Sequence, residues 1–286
     1  MTDTFLEHRP LLFGIAYRML GSIAEAEDAV QEIYLRWQKQ DATRLDSARA
    51  WLIAATTRWC IDQLRSARRQ REDYKGLWLP EPLLDAPAAP PGRAGALADS
   101  LSMAFMFMLE QLSPVERAVF LLREAFDFDY SEIAEMVGKS EANCRQLFSR
   151  ARRTLGRRDE PVAEPEPPRQ AEEIVQQFLH ACTTGNLGEL LAVLTDDVVL
   201  YSDGGGRVPS ALRPIVNADR VSRFFLGIGK RGAFHGESRL AQVNGTVGVL
   251  LRRRDGRRSV TAFALHGGRI RAIYLVNNPE KLRGVD

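Results

Sequence analysis

Two proline-rich segments constrain what this chain can fold into more than any other feature of its sequence. The first runs from Leu79 to Ala98, and the second, from Asp159 to Arg169, carries four acids among its prolines. Because proline fixes φ and has no backbone N–H, this density disfavours helices and strands, and both segments are predicted to be linkers. A chain of 286 residues is long enough for several small domains, so three blocks are expected.

The first block has the pattern of a helical bundle. Ser22 and Glu25 form a capping-box pattern at the start of a helix, and a second long helix is predicted from about Ala48 to Arg69. On that second helix we expect Leu52, Ala55 and Trp59 to face inward. The first of the two helices is predicted to bury Ala26, Ala29, Val30, Ile33 and Trp37.

Charge is strongly patterned, although the net charge is only +2. Glu25, Asp28, Gln31 and Glu32 are predicted to form an acidic, solvent-facing stripe on the first of these helices. Arginines cluster in two places: Arg65, Arg68, Arg69 and Arg71, and then Arg145, Arg150, Arg152, Arg153, Arg157 and Arg158. Two separated basic patches indicate two contacts with a polyanion, although either patch alone is also compatible with a solvated helix face.

The second block has the pattern of a helix-turn-helix. The run Ser113–Glu116 combines an N-cap, a first-turn proline and a capping-box acid. A helix over Ser131–Val137 is then followed by Gly138, which suits a helix end, and by Ser140 as a new N-cap. The last helix is predicted to bury Cys144, Leu147, Phe148, Ala151 and Leu155. Its outward residues are predicted to be Asn143, Arg145, Gln146, Ser149, Arg150 and Arg153.

These outward residues favour DNA binding over a helical hairpin of another function. Asn, Arg and Gln side chains make paired hydrogen bonds with adenine or guanine edges, and the later arginines suit phosphates.

The third block, from about Gln170, has a different pattern: two helices and then several β-rich runs. Helices segregated from an antiparallel sheet predict an α+β domain, and Gly267-Gly268 predicts a tight hairpin turn. The predicted strands are Val198–Tyr201, Ser238–Val243, Thr246–Arg252, Ser259–Leu265 and Arg269–Val276.

Together these runs resemble a known family, the extracytoplasmic-function (ECF) RNA polymerase sigma factors. AEDAVQEIYLRW resembles their helix that binds the β′ coiled coil of polymerase, and ARAWLIAATTRWCIDQLRSARRQRE resembles the helix that melts and recognises the minus-ten element. LSPVERAVFLLREAFDFDYSEIAEMVGKSEANCRQLFSRARRTL resembles their minus-thirty-five-binding σ4 domain. No σ3-type domain intervenes.

Three further motifs resemble the subgroup that carries a C-terminal SnoaL-like domain. They are W-L-P-E-P at Trp78–Pro82, D-G-G-G-[KR]-V at Asp203–Val208 and N-P-[DE]-K-L at Asn278–Leu282. Cys144 stands where a valine is usual, and Glu280 replaces an aspartate. The resemblance implies a multidomain fold: two all-α modules, a σ2 helical bundle and a σ4 helix-turn-helix, plus a C-terminal α+β SnoaL-like cone. The implied boundaries are 1–75 for σ2, 76–98 for a linker, 99–158 for σ4, 159–169 for a second linker and 170–286 for the SnoaL-like domain.

The resemblance also implies roles for individual residues. Polymerase binding is implied for Asp28, Gln31 and Glu32; minus-ten binding for Arg58, Asp62, Arg65 and Arg69; and minus-thirty-five binding for Asn143, Arg145, Gln146, Ser149, Arg150 and Arg153. Regulatory contacts are implied for Trp78, Pro80, Glu81, Asp203, Gly204, Gly205, Arg207, Asn278, Pro279 and Lys281. The joint presence of the motifs favours a contact between the Asp203 loop and the Trp78–Pro82 linker.

Partners and control follow from the same resemblance. The implied partners are promoter DNA and core RNA polymerase, through its β′ coiled coil and β flap. The SnoaL-like domain would pack on the σ modules and tune initiation without a dedicated anti-sigma protein. The loop Gln40–Asp46 is a candidate pocket for a flipped minus-ten base, whereas Trp51 and Trp59 are better explained as core residues than as a base platform.

Cofactor, metal and membrane functions find no support in the sequence. The cysteines Cys60, Cys144 and Cys182 are far apart and never form C-x-x-C, so neither a disulfide framework nor a zinc site is expected. The longest apolar stretch, Leu101–Leu109, is far shorter than the ~20 residues of a membrane span. A cytoplasmic protein with no cofactor, metal or membrane contact is predicted.

Two rival functions stay open at this point. The first is a one-component regulator that binds an operator without polymerase and senses a small molecule through its third domain. The second is an enzyme of the SnoaL class fused to a DNA-binding region, for which Asp203, His235 and His266 are the acid–base candidates. His180 is expected to be structural or exposed, and no catalytic residue is predicted.

Overall fold

The structure is a computed structural model that describes residues 2–41, 45–72, 74–84, 101–156 and 166–285, apart from the side chains of Thr2 and residues 67–72. The chain divides into two compact units. The first comprises Met1–Asp73, Ala89–Ser100 and Met106–Asp159, and the second Tyr74–Ala88, Leu101–Phe105 and Glu160–Asp286.

The first unit begins with three helices, α1 (Thr2–Leu20), α2 (Ile23–Gln38) and α3 (Ala48–Glu72). Gly21, at φ 70°, separates α1 from α2, and the Ser22 side chain then accepts a hydrogen bond from the backbone N–H of Glu25. The predicted buried face of α2 is confirmed for all five of its residues. Trp37, the largest of them, is almost completely buried.

The inward face of α3 differs from the prediction. Leu52 is fully buried as expected, but Ala55 and Trp59 are only half-buried. The buried positions are Leu52, Ile53, Thr56, Thr57, Cys60, Ile61 and Leu64. Threonines lie within this stripe, and Thr56 satisfies its hydroxyl by donating to the Leu52 carbonyl at 2.8 Å. The buried face of α3 therefore lies next to the predicted one, because it includes threonines that a search for apolar residues passes over.

Four shorter helices follow: α4 (Met103–Leu109), α5 (Pro114–Glu124), α6 (Tyr130–Val137) and α7 (Glu141–Gly156). The capping box of α5 is confirmed, with Ser113 and Glu116 each bonding the other's backbone N–H, and Pro114 occupies the first turn. Gly138 ends α6 in the left-handed conformation, at φ 66° and ψ 44°. The Ser140 hydroxyl then caps α7 by accepting from the N–H of Asn143. The predicted helix-turn-helix is therefore present.

The second unit contains three helices and a six-stranded sheet among its described residues. The helices are α8 (Pro168–Thr184), α9 (Leu187–Val193) and α10 (Ala218–Lys230). The strands are β1 (Leu194–Asp203), β2 (Ile215–Val216), β3 (Gly236–Val243), β4 (Thr246–Arg253), β5 (Arg258–His266) and β6 (Arg269–Val276). In space the strands are ordered β2-β1-β6-β5-β4-β3.

The sheet is mixed rather than antiparallel. β1 pairs in parallel with β6, whereas every other neighbouring pair is antiparallel. The alternation of apolar residues identified both strands, but it carries no information about the direction in which strands distant in sequence pair. Helix α10 and the short β2 were also missed. The Gly267-Gly268 turn is confirmed: both glycines have positive φ, and the turn joins His266 to Arg269.

The core of the second unit lies where the helices pack on the sheet. Phe178 of α8 is 2% exposed, and its ring centroid lies 5.0 Å from that of Phe225 and 5.4 Å from that of Phe263. These residues come from α8, α10 and β5, so one aromatic cluster fixes two helices against the sheet. No described helix is long and apolar enough to cross a membrane.

Candidate DNA-binding face and a buried aspartate cluster

The outward face of α7 presents all six residues predicted for the minus-thirty-five contact. Each of them is exposed. We call this set the recognition face: Asn143, Arg145, Gln146, Ser149, Arg150 and Arg153. Its geometry is partly ordered, because the guanidinium of Arg145 lies 4.5 Å from the ring centroid of Tyr130 and 3.2 Å from a carboxylate oxygen of Glu141. The side chains that can bond base edges are thus available to a partner.

The acidic stripe of α2 is exposed over most of its length, but Glu25, which was predicted to belong to it, is half-buried. Asp28 and Gln31 are exposed. Glu32 is 40% exposed and accepts a hydrogen bond from Arg36 Nε at 2.8 Å. A basic partner that binds this stripe therefore competes with one exposed ion pair, which contributes less than ~1 kcal/mol.

The structure separates the residues of α3 that were predicted to bind the minus-ten element. Arg65 and Asp62 are exposed and form an ion pair, with an Nη of Arg65 at 3.2 Å from Oδ1 of Asp62. Arg58 donates instead to the last carbonyls of α6, from Nε to Met136 O at 2.8 Å and from an Nη to Glu135 O at 2.6 Å. A guanidinium at the C-terminal end of a helix is favourably placed against its dipole. Two of the three guanidinium nitrogens of Arg58 are thereby bonded within the helical unit.

Several other predictions fall on residues outside the described part of the chain. These are the side chains of Arg68, Arg69 and Arg71, the residues Arg157 and Arg158, positions 42–44 of the candidate base pocket Gln40–Asp46, and both linkers over positions 85–98 and 159–165. The two predicted core tryptophans, Trp51 and Trp59, are half-buried.

The side chain of Asp203 is the centre of a buried polar cluster in the second unit. This residue ends β1 and is completely buried. Its Oδ1 accepts from the hydroxyl of Tyr74 at 2.6 Å and from the backbone N–H of Gly205 at 2.9 Å. Its Oδ2 accepts from the backbone N–H of Leu79 at 2.9 Å and from Nζ of Lys281 at 2.7 Å. Both oxygens of this buried carboxylate therefore have two donors each.

Lys281 completes the charge balance of this cluster. Its side chain is only 11% exposed, and its Nζ also donates to the Leu79 carbonyl. The ammonium lies 4.0 Å from the ring centroid of Trp78 and 5.3 Å from that of Tyr74. The ammonium is thus bound by a carboxylate, a carbonyl and two aromatic faces.

Asn278 and Gly205 close the cluster. The amide of Asn278 donates to the Tyr74 hydroxyl at 3.0 Å. A Cβ at Gly205, whose φ is 60°, would lie only 2.4 Å from that amide nitrogen, so no larger residue fits there. Burial and the bond to Asp203 raise the pKa of Tyr74 above its usual range, which keeps the hydroxyl protonated. We call Tyr74, Leu79, Asp203, Asn278 and Lys281 the Asp203 cluster.

A second polar contact binds the same linker further along. Asn244, in the turn between β3 and β4, is fully buried with φ 52°. Its Oδ1 accepts from Leu83 N–H at 3.0 Å, and its Nδ2 donates to the Leu101 carbonyl at 3.0 Å. One side chain, the Asn244 clasp, therefore joins the residues that flank positions 85–100.

Other residues of the predicted regulatory set have lesser roles in this geometry. Pro80 is buried, Glu81 and Trp78 are half-buried, and Gly204 is enclosed by the loop. Arg207 and Glu280 form an exposed ion pair at 3.1 Å, and Pro279 is exposed. Tyr74 and Asn244 were not predicted, and Leu79 was included only as part of the Trp78–Pro82 motif. The Asn244-Gly245 pair was an available signal, since Asn-Gly is a preferred hairpin turn.

The acid–base candidates of the enzyme reading do not come together. Asp203 is occupied by its four donors, and His235, His266 and His180 are exposed. No group of three or more His, Cys, Asp or Glu side chains that suits a metal ion occurs among the described residues. The cysteines are buried and free, and burial raises the pKa of Cys60 and Cys182.

A helical unit that contains a helix-turn-helix, followed by an α+β unit, defines a multidomain protein of the helix-turn-helix class. Family models agree with this class. The model of Sigma-70 region 2 matches residues 4–70, and that of Sigma-70 region 4 matches residues 102–155.

Relatives are similar over nearly the whole chain. The ECF RNA polymerase sigma factor SigJ of Mycobacterium tuberculosis is 38% identical, with 96% of this chain and 91% of that protein covered. The probable ECF sigma factor SigI of the same species is 34% identical over 96% of this chain and 92% of its own length. The crystal structure of SigJ, which carries a C-terminal SnoaL-like domain, superposes with a TM-score of 0.78 over 99% of both chains at 34% identity.

The chain belongs to the ECF RNA polymerase sigma factors, in the group with a C-terminal SnoaL-like domain. It is a transcription initiation factor rather than an enzyme, and it binds core RNA polymerase and promoter DNA to direct promoter-specific initiation. The one-component regulator and the SnoaL-class enzyme are thereby set aside as main functions.

Proposed function

We propose that the SnoaL-like domain regulates this sigma factor in cis by binding the linker between its σ2 and σ4 modules. The linker is taken to begin at Tyr74, two residues before the predicted boundary, because the second unit begins there. The observation that carries the proposal is the pair of hydrogen bonds from Tyr74 and Leu79 to the buried carboxylate of Asp203.

The energetics of the Asp203 cluster make linker binding cooperative. A buried carboxylate is costly unless its hydrogen bonds and its counter-charge are complete, and two of the four donors come from the linker. Release of the linker removes both donors at once and uncovers Lys281, which also bonds the Leu79 carbonyl. The bound state therefore opens as a unit rather than residue by residue.

The linker connects two functional elements of the chain. It follows the end of α3 at Glu72, and the Asn244 clasp binds Leu101, just before α4 begins at Met103. Both ends of the connection between the two modules are therefore attached to the SnoaL-like domain, which limits how far the connection can extend.

Contacts within the helical unit support a closed resting arrangement. Arg58 of α3 bonds α6, and Arg117 of α5, 3% exposed, donates to the Met19 carbonyl of α1 at 2.7 Å. Promoter elements near −10 and −35 lie roughly 85 Å apart along B-DNA, at 3.4 Å per base pair. A compact helical unit of this size is about 40 Å across and does not span that distance. Active holoenzyme therefore requires the two modules to separate, a shift between two populated states.

Individual roles follow the same model. The α2 stripe of Asp28, Gln31 and Glu32 binds the β′ coiled coil, and the σ4 module binds the β flap. Arg58, Asp62, Arg65 and Arg69 contact the minus-ten element, and the recognition face contacts the minus-thirty-five element. The protein acts in the cytoplasm, and control in cis replaces a dedicated anti-sigma protein.

Run-off transcription with purified core polymerase and the gene's own upstream region tests the proposal. We expect Glu32→Lys to abolish transcripts and Asp203→Asn, which weakens the linker contact, to change the yield severalfold. Asp197→Asn, an exposed aspartate on the same strand, is the matched control and should leave the yield unchanged. A folded Asp203→Asn protein, checked by circular dichroism, with wild-type yield and wild-type polymerase affinity would overturn control in cis.

A further inference from the structure

The second unit contains a cavity of about 790 Å³ that neither the sigma function nor the linker contacts use. Cavities that bind small molecules generally have volumes of ~300–1,000 Å³. Helices α8 and α10 and strands β4 and β5 contribute to the wall. Apolar side chains dominate it, and five of them are phenylalanines: Phe178, Phe224, Phe225, Phe234 and Phe263.

The charged residues of the wall are strongly unbalanced. Five are arginines and one is an acid, Asp255. The arginines are Arg231, Arg253, Arg257, Arg258 and Arg283. Three of them, Arg231, Arg257 and Arg283, line the cavity and are also exposed, so they lie at its entrance. An apolar interior with a cationic entrance is complementary to an apolar molecule that carries an anionic group.

Internal contacts satisfy only some of these arginines. Asp255 bonds Arg257 at 2.8 Å and lies 3.4 Å from Arg253, and Arg258 donates to the Val285 carbonyl. Within the described part of the chain, the side chains of Arg231 and Arg283 form no ion pair or hydrogen bond. The Nε of Arg253 is buried and has no partner there either. The cavity wall therefore carries N–H donors that have no partner within the described part of the chain and are available to an anionic ligand.

The cavity shares its wall with the loops that bind the linker. At the end of β1 and in the loop that follows, Asp203 and Gly205 belong to the linker site, whereas Val208 and Pro209 line the cavity. The C-terminal tail behaves in the same way. There, Asn278 and Lys281 contact the linker site, and Asn277, Pro279, Leu282 and Arg283 line the cavity. Two short segments thus contribute residues to both sites, which provides a physical connection between them.

We propose that this cavity binds an apolar organic anion, of the class of aromatic or long-chain carboxylates and sulfonates, and that its occupancy is coupled to linker binding at the Asp203 cluster. The anion bonds Arg231 and Arg283, and the apolar body packs among the phenylalanines. The coupling half of this proposal rests on the proposed function above, whereas the binding half does not. Because linkage is reciprocal, a ligand that shifts linker binding must itself bind more or less tightly when the linker is loosened.

Two probes with the same ring system measure the binding half. One is 1-anilinonaphthalene-8-sulfonate, which is anionic, and the other is N-phenyl-1-naphthylamine, which lacks the sulfonate. Titration of the full-length protein, followed by probe fluorescence and by calorimetry, should give saturable binding of the anion at one site. We expect the neutral probe to bind about tenfold more weakly, because it lacks the sulfonate that the arginines bind. A tenfold change in affinity corresponds to about 1.4 kcal/mol.

Variants locate the site. Arg231→Gln with Arg283→Gln should raise the dissociation constant of the anionic probe about tenfold and leave that of the neutral probe unchanged. Leu251→Trp, which fills part of the cavity, should weaken both probes. Arg220→Gln is the matched control, an exposed arginine of α10 outside the cavity. Non-saturable binding, or equal affinities in the wild type and the double arginine variant, would overturn the assignment.

The coupling is tested with the same probe and no polymerase. Asp203→Asn should change the affinity of the anionic probe severalfold, and probe binding should change hydrogen exchange of the backbone amides of residues 77–84. An unchanged affinity with unchanged exchange, despite normal probe binding, would overturn the coupling alone. Normal probe binding together with wild-type transcription by Asp203→Asn would overturn the proposed function while leaving the cavity site in place.

Discussion

The recognition face of α7 and the Asp203 cluster are both polar sites, but they lie at opposite extremes of burial. Every residue of the recognition face is exposed, and the ion pair of Arg145 with Glu141 is solvated. Asp203 is completely buried, and three of its four donors come from two segments distant in sequence. The recognition face can bond a partner molecule, whereas both oxygens of Asp203 already have their hydrogen-bond donors within the chain.

This contrast predicts how the two sites respond to mutation. An exposed polar side chain contributes little to folding, so its loss affects only the bound state. A buried charge is stable only with all its partners, so its loss affects the folded state first and function through it. Four measurements test this expectation.

The largest effect is expected for Asp203→Ala. The change leaves Lys281 in a mostly buried position without its carboxylate, which costs about 3–5 kcal/mol when one partner of such a pair is removed. Urea unfolding of the full-length protein measures it. Asp197→Ala, an exposed position on the same strand, should stay within about 0.5 kcal/mol. A loss below 1 kcal/mol for Asp203→Ala would show that the cluster is not the closed ion-pair site described above.

The Asn244 clasp should give the next largest effect. Asn244→Gly tolerates the positive φ but removes both side-chain hydrogen bonds, so Leu83 N–H and the Leu101 carbonyl lose their partner. The expected destabilisation is about 1–3 kcal/mol, with faster hydrogen exchange of the Leu83 amide. Asn244→Asp serves as the comparison, because it keeps the acceptor for Leu83. Equal exchange in both variants and the wild type would contradict the clasp.

The recognition face should show the opposite behaviour. Arg145→Ala is expected to weaken binding of holoenzyme to promoter DNA by about 1–3 kcal/mol while the free energy of unfolding changes by less than about 0.5 kcal/mol. Fluorescence anisotropy at fixed salt measures the affinity. Arg152→Ala is the control, an exposed arginine of α7 outside the recognition face. If Arg152→Ala weakens binding more than Arg145→Ala, the face is wrongly assigned.

The smallest effect is expected for Tyr74→Phe, which removes one donor from Asp203 and leaves the other three. The expected loss is about 0.5–1.5 kcal/mol. Because burial raises the folded-state pKa of Tyr74 above the unfolded value of about 10, its contribution is fully present below pH 10 and declines above it. Unfolding between pH 6 and 9 should therefore show a constant difference from the wild type. A difference that vanishes within that range would contradict a protonated donor.

Much of the helical unit could be predicted from sequence because its signals are local. Ser113, Gly138 and Ser140 mark helix ends through bonds to residues three or four positions away, and all three do so in the structure. The face of α3 was partly wrong, since the stripe that packs against other helices includes Thr56 and Thr57, which apolar periodicity does not mark.

The helix-turn-helix, the exposed residues of α7 and the existence of the main strands could be read from the sequence. The σ2- and σ4-like runs also indicated the family, and three short motifs indicated its subgroup. Three features became visible only in the folded chain: β1 pairs in parallel with β6, Arg58 bonds α6, and Tyr74, Asp203 and Lys281 share one buried site. The physical reason is the range of the interactions. Caps and amphipathic periods involve residues within one or two turns, whereas strand direction and buried ion pairs join residues separated by tens to hundreds of positions, and no local pattern encodes which of them meet.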